Sequence, residues 1–135
     1  MRVVFDANVI AAGVCWHGEG YLCLVKLARR QATAFGTVET LEETRETVTR
    51  LIRSKQPGHN AAGRLNWYLE HCHLVEPAPL GKQRSRDADD DHYLAAALAA
   101  QAGCVVTYDQ DLLAWQKPFG IVILRPSLFL KRLLA

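Results

Sequence analysis

The sequence predicts a single three-layer α/β/α domain with a mainly parallel central sheet. Short apolar runs rich in β-branched and aromatic residues alternate with helical segments along the chain, the pattern of a parallel sheet covered on both faces. The chain has 135 residues, half of them apolar, enough for one real core and too few for a comfortable second domain. It carries no internal repeat, linker or low-complexity tract.

Taken in order, Arg2 to Phe5 reads as a buried first strand. Gly18-Glu19-Gly20 leads into a helix from Tyr21 to Arg30, which closes with cations in its last turn, where the helix dipole favours them. Ala32 to Gly36 is a second strand. Val38 to Ser54 is a helix with Val38, Leu41, Val48, Leu51 and Ile52 on one side, stopped by Gln56-Pro57-Gly58. A helix over Asn60 to Cys72 turns Leu65, Tyr68 and Leu69 toward the core, and His73 to Glu76 is a short strand before the loop Pro77 to Gly81. The alanine-rich segment Asp91 to Ala102 is a helix with acids at its N-terminus and Gly103 as its cap. Cys104 to Thr107 is a strand, Asp109 to Trp115 a brief helix, and Ile121 to Leu124 a final strand. Pro126 then starts a terminal helix that runs through Leu134.

Four acidic positions stand where strands end or helices begin: Asp6, one glutamate of Leu41-Glu42-Glu43, Asp91 and Asp109. The carboxyl ends of parallel strands share one rim, so these acids can converge across the sequence. Converging carboxylates raise one another's pKa unless a cation neutralises them, which points to a divalent-metal site. A hard, oxygen-lined site suits Mg²⁺ or Mn²⁺, ions that keep waters and bind phosphate. The helix acid stays open between two residues. Spacing to Val48 favours Glu43, whereas the stripe of Leu41, Val48 and Ile52 places Glu42 on its flank and Glu43 nearly opposite.

The net charge is +2, with acids crowded into residues 39–46 and 87–91 and cations spread elsewhere, among them Arg29, Arg30, Arg50, Arg53, Lys55, Arg64, Lys82, Arg84 and Arg86. If cations neutralise the acidic centre, the remaining surface can hold a phosphate backbone, although charge alone favours an ordinary solvated surface. Cys15, Cys23, Cys72 and Cys104 form no Cys-x-x-Cys pair and read as reduced thiols. No apolar run is long enough to span a membrane, and the first residues carry no apolar leader, so a cytoplasmic protein is expected.

Val3-Val4-Phe5-Asp6-Ala7-Asn8, Leu41-Glu42-Glu43, Arg86-Asp87-Ala88-Asp89-Asp90-Asp91-His92-Tyr93-Leu94-Ala95-Ala96-Ala97 and Val106-Thr107-Tyr108-Asp109-Gln110-Asp111-Leu112-Leu113 together resemble the ordered motifs of PIN domains, closest to the VapC-like ribonuclease branch. The departure is Thr44, where the family usually has a large apolar residue. The resemblance implies a Rossmann-like topology and a metal-dependent endoribonuclease that cuts single-stranded or looped RNA. It implies Asp6, Glu43, Asp91 and Asp109 as acids coordinating Mg²⁺ or Mn²⁺, with Asp111 and Asp87 as further acids that bind a second ion or position water. Asn8 and Thr107 match the polar residues that orient ligands. It also implies a toxin role, a small antitoxin as partner, and a homodimer.

Simpler roles compete at each residue. Asp6 can cap a turn after the first strand and Asp109 the short helix that follows it, Asp89 and Asp90 can be solvated, and His71 and His73 lack the partners of a zinc site. Trp16, His17 and Tyr108 are candidates for stacking on a base, with packing the default. Two other functions fit the acids less well. One is a magnesium-binding receiver-type signalling domain, and the other a PIN-like module that binds RNA or protein without catalysis.

Overall fold

A computed structural model describes residues 1–81, 88–115 and 117–134, without the side chains of residues 88–90. Asp87, Lys82, Arg84 and Arg86 lie outside the described residues, as do the side chains of Asp89 and Asp90. The strands are β1 (Arg2–Phe5), β2 (Thr33–Gly36), β3 (His73–Leu74), β4 (Cys104–Val106) and β5 (Val122–Leu124). They form a sheet of order β3-β2-β1-β4-β5 in which every pairing is parallel, with Val3 opposite both Ala34 and Cys104 and Phe5 opposite Val106. The chain moves outward from β1 to β3, then returns to the other side of β1 as β4. The strand order therefore reverses between β1 and β4, and crevices for ligands open at the carboxyl ends of strands at such a point. Receiver-type domains follow the order 2-1-3-4-5, so this topology is not theirs.

The helices are α1 (Ala7–Cys15), α2 (Glu19–Ala28), α3 (Val38–Lys55), α4 (Ala61–His71), α5 (Ala88–Ala100), α6 (Gln110–Leu113) and α7 (Pro126–Leu134), with a 3₁₀ turn at Pro118–Gly120. Alternating strand residues feed two cores. Val3, Phe5, Cys104 and Val106 pack with Val9, Ile10 and Val14 of α1, Cys23 and Leu24 of α2, Tyr68 of α4 and Phe129 of α7. Val4 and Val105 face the other way, onto Tyr93, Ala96, Ala97 and Ala100 of α5. Small alanine side chains let that helix lie close on the sheet.

The sequence reading contains no counterpart of α1. Seven of its nine residues are buried, so it has no polar face and no amphipathic period to betray it. Its packing against α2 is close enough that a Cβ on Gly13 would stand 2.6 Å from the Gly20 carbonyl oxygen. Its last turn carries no cation of its own. Arg64 of α4 instead donates to the Gly13 and Trp16 carbonyls at 3.3 and 3.4 Å, and His59 Nε2 lies 2.6 Å from the Val14 carbonyl. These groups answer the carbonyls a helix leaves without intrahelical partners. Arg64 thus serves the fold and is not a cation offered to phosphate.

On α3 the expected Leu41, Val48, Leu51 and Ile52 do face the core, and the departures lie at the helix start and between these residues. Thr40, Thr44 and Val48 are the buried residues and Val38 is exposed, because Thr37 and Thr40 close a capping box that turns threonines inward at the helix start. The Thr44 hydroxyl donates to the Thr40 carbonyl at 2.9 Å, which lets a polar side chain sit buried. At the end of α5 it is Gln101, at φ 53°, that takes the left-handed turn expected of Gly103. Downstream, α6 is confined to Gln110–Leu113, and α7 covers the expected Pro126 to Leu134.

Candidate active site

Asp6 is the first residue past β1, and its backbone N–H donates to the Val106 carbonyl at 2.9 Å, which extends the sheet by one rung. Its side chain is 6% exposed. The hydroxyl of Thr107, one residue past β4, donates to Asp6 Oδ2 at 2.6 Å and accepts the Asp109 N–H at 2.9 Å. Asp109 in turn accepts the Asp111 N–H at 2.8 Å, capping α6. Asn8 Oδ1 accepts the Tyr108 N–H at 3.3 Å and ties the first turn of α1 to the turn after β4. Asp6, Asn8, Thr107, Asp109 and Asp111 thus belong to the two adjoining turns where the strand order reverses.

Burial pushes the Asp6 carboxyl above its ordinary value. The hydroxyl of Thr107, the N–H of Ala7 and the hydroxyl of Tyr93 pull it back, while the charge of Asp109 adds to the rise. Two of the expected acids are therefore close enough to feel one another.

Glu43 and Glu42 separate clearly. Glu43 is half-buried and its Oε2 accepts the Tyr93 hydroxyl at 2.8 Å, whereas Glu42 is exposed and pairs with Arg45 at 3.9 Å. Asp91 lies in the first turn of α5 and is 9% exposed, on the helix whose Tyr93 meets Glu43. Tyr93 is absent from the sequence-derived set. Its signal was an aromatic hydroxyl in an otherwise alanine-rich helix, since a buried tyrosine O–H needs a partner. Burial and the neighbouring charge of Asp6 hold this phenol far above its ordinary pKa, so it stays protonated.

Among the described residues, no three or more His, Cys, Asp or Glu side chains gather closely enough to hold a metal ion. The donor set still fits Mg²⁺ or Mn²⁺, because such ions need only one or two carboxylates besides water and phosphate. Asp6, buried and facing the charge of Asp109, has the surroundings that a cation would relieve.

Other candidates fall away from the rim. Trp16 and His17 lie past the C-terminal end of α1, a nine-residue helix away from Asp6, and His17 is engaged by Arg64 at 2.8 Å. Tyr108 remains at the rim, 37% exposed. His71 stacks on Trp67 at 4.4 Å and bonds its carbonyl through Nδ1, so its role is structural. His92 is exposed. All four cysteines are free and buried, and burial pushes Cys23 up to about 12 and Cys72 and Cys104 up to about 11. A cavity of about 390 Å³ beside Arg30, Trp67 and His73 and a groove of about 490 Å³ between α2 and α4 are both lined by other residues than the acids.

Searches of curated proteins and of solved structures gave no match. A sequence model described as PIN domain matches residues 2–111, a span from β1 through Asp111 that contains all four acids and both turns at the strand-order reversal. With most of its length matched and an all-parallel α/β/α architecture beneath it, the chain belongs to the PIN domain family.

Proposed function

We propose that this chain is a Mg²⁺- or Mn²⁺-dependent endoribonuclease that hydrolyses phosphodiester bonds of single-stranded or looped RNA. Asp6, Glu43, Asp91 and Asp109 are its acids, with Asp111 beside them, and it acts in the cytoplasm as the toxin of a toxin–antitoxin pair. PIN domains are generally nucleases. The observation that carries the reading is the hydrogen-bonded run from Asp6 through Thr107 to Asp109 at the strand-order reversal. The toxin role and the antitoxin rest on the motif resemblance. Among the described residues, no helix is long and apolar enough to cross a membrane.

A divalent ion, when bound, supplies the charge that acidifies water for in-line attack and stabilises the leaving oxygen. The chain's own residues set the geometry. Thr107 aims one oxygen of Asp6, and because the same hydroxyl receives the Asp109 N–H, the two acids keep a fixed relation. Asn8 locks the turn after β4 against α1, so neither acid can drift independently. Unpaired RNA presents its backbone to such an open rim more readily than a duplex does. The alternative reading is a PIN-like module that binds RNA or protein without catalysis.

Labelled single-stranded and structured RNAs, incubated with Mg²⁺, Mn²⁺ or EDTA, separate the two readings. Cleavage is expected with either metal and not with EDTA. Asp6→Asn should lower it by more than the roughly 10–100-fold that loss of an outer-shell partner costs a metal site. Cleavage by Asp6→Asn in the wild-type pattern overturns the assignment. Metal binding without any cleavage moves the reading to the non-catalytic module.

A further inference from the structure

The Tyr93 phenol joins three elements through one oxygen. It accepts the Ala7 N–H of α1 at 3.3 Å and donates to Glu43 Oε2 of α3 at 2.8 Å, while its ring is buried beneath α5. A phenol has a single proton. That proton goes to Glu43 at 2.8 Å, while the same hydroxyl stands close enough to Asp6 to lower the pKa of its carboxyl, so one oxygen faces both acids. Ala7 follows Asp6 directly, so the contact spans the start of α1 and the carboxylate of α3. Glutamate is long and loses side-chain freedom when it is placed, and a donor that pins one oxygen defines where the other points.

From this geometry we infer that Tyr93 is a positioning residue of the acidic site, whose hydroxyl holds Glu43 toward Asp6 so that both carboxylates serve one divalent cation. The inference rests on the proposed function. It goes beyond it in assigning a role to a residue that is not one of the acids. Phenylalanine at this position would fill the same space and lack only the connecting oxygen.

The test is Mn²⁺ binding to RNA-free protein, followed by electron paramagnetic resonance of the free ion, for wild type, Tyr93→Phe, Asp6→Asn, Glu43→Gln and the Tyr93→Phe/Glu43→Gln pair. Tyr93→Phe should weaken binding by about 10–100-fold. It should weaken binding no further once Glu43 is Gln, because the hydroxyl then has no carboxylate to place. A merely structural tyrosine would shift the melting temperature and leave Mn²⁺ affinity unmoved. Wild-type affinity in Tyr93→Phe, with binding lost in Asp6→Asn, sinks this inference alone, as does an equal loss with and without the Glu43 carboxylate. No Mn²⁺ binding by the wild type overturns the inference and the proposed function together.

Discussion

Asp6 occupies the N-cap position of α1 yet its side chain makes no cap hydrogen bond to that helix; its Oδ2 accepts from Thr107 instead. Thr37, Asn60 and Asp109 show the ordinary use of that position, each accepting an N–H of its own helix. A buried carboxylate raised by desolvation opposes folding when ionised. Between the unfolded value near 3.8 and the raised folded value, the native state binds more protons than the unfolded state, so Asp6's contribution to stability falls as pH rises through that window. Asp6→Asn should therefore melt higher than wild type in metal-free buffer at pH 7, with the gap narrowing as pH falls through the window. Thermal denaturation across pH checks this, and a variant that melts lower at neutral pH counts against a strained carboxylate. Asp6, Thr107 and Asp109 were legible because each is tied to a strand end that the sequence marks. Glu43 was legible only as one of two neighbours, since the inward face of α3 begins with threonines that carry no hydrophobic signal.

At the scale of elements, α1 shows what periodicity misses. It is held at one end by the turn carrying Asp6, along its length by α2, and at its other end by Arg64 and His59. Gly13→Ala tests the middle of that support. Alanine gains roughly 0.5–1 kcal/mol in helix propensity over glycine. The new Cβ would meet the Gly20 carbonyl oxygen at 2.6 Å and its carbon at 2.8 Å, and backbone on a packed helix cannot rotate away. Overpacking of this kind costs about 1–3 kcal/mol, so the clash should win and Gly13→Ala should be less stable in urea denaturation. A stabilised variant would mean that α1 and α2 are less tightly seated. Segments with a clear stop or start were read closely, as with α7, whose Pro126 sets φ at the first helical position.

At the scale of the molecule, the reversal of strand order between β1 and β4 brings Asp6 beside Thr107, 101 residues on in sequence. We expect the chain to form a homodimer at micromolar concentration, as its motif resemblance implies, and sedimentation velocity showing only monomer there would refute this. The sequence by itself determined the alternation of strands and helices, the parallel sheet, the motif resemblance and the acids at strand ends, because local apolar runs, turn residues and charges act over a few residues. Tertiary structure decided the buried α1, the inward threonines of α3, the choice of Glu43 over Glu42 as the partner of Tyr93, and the capture of Arg64 by the end of α1. Each of these depends on what a distant element places opposite a side chain, and burial and hydrogen bonding across that distance leave no local period to read.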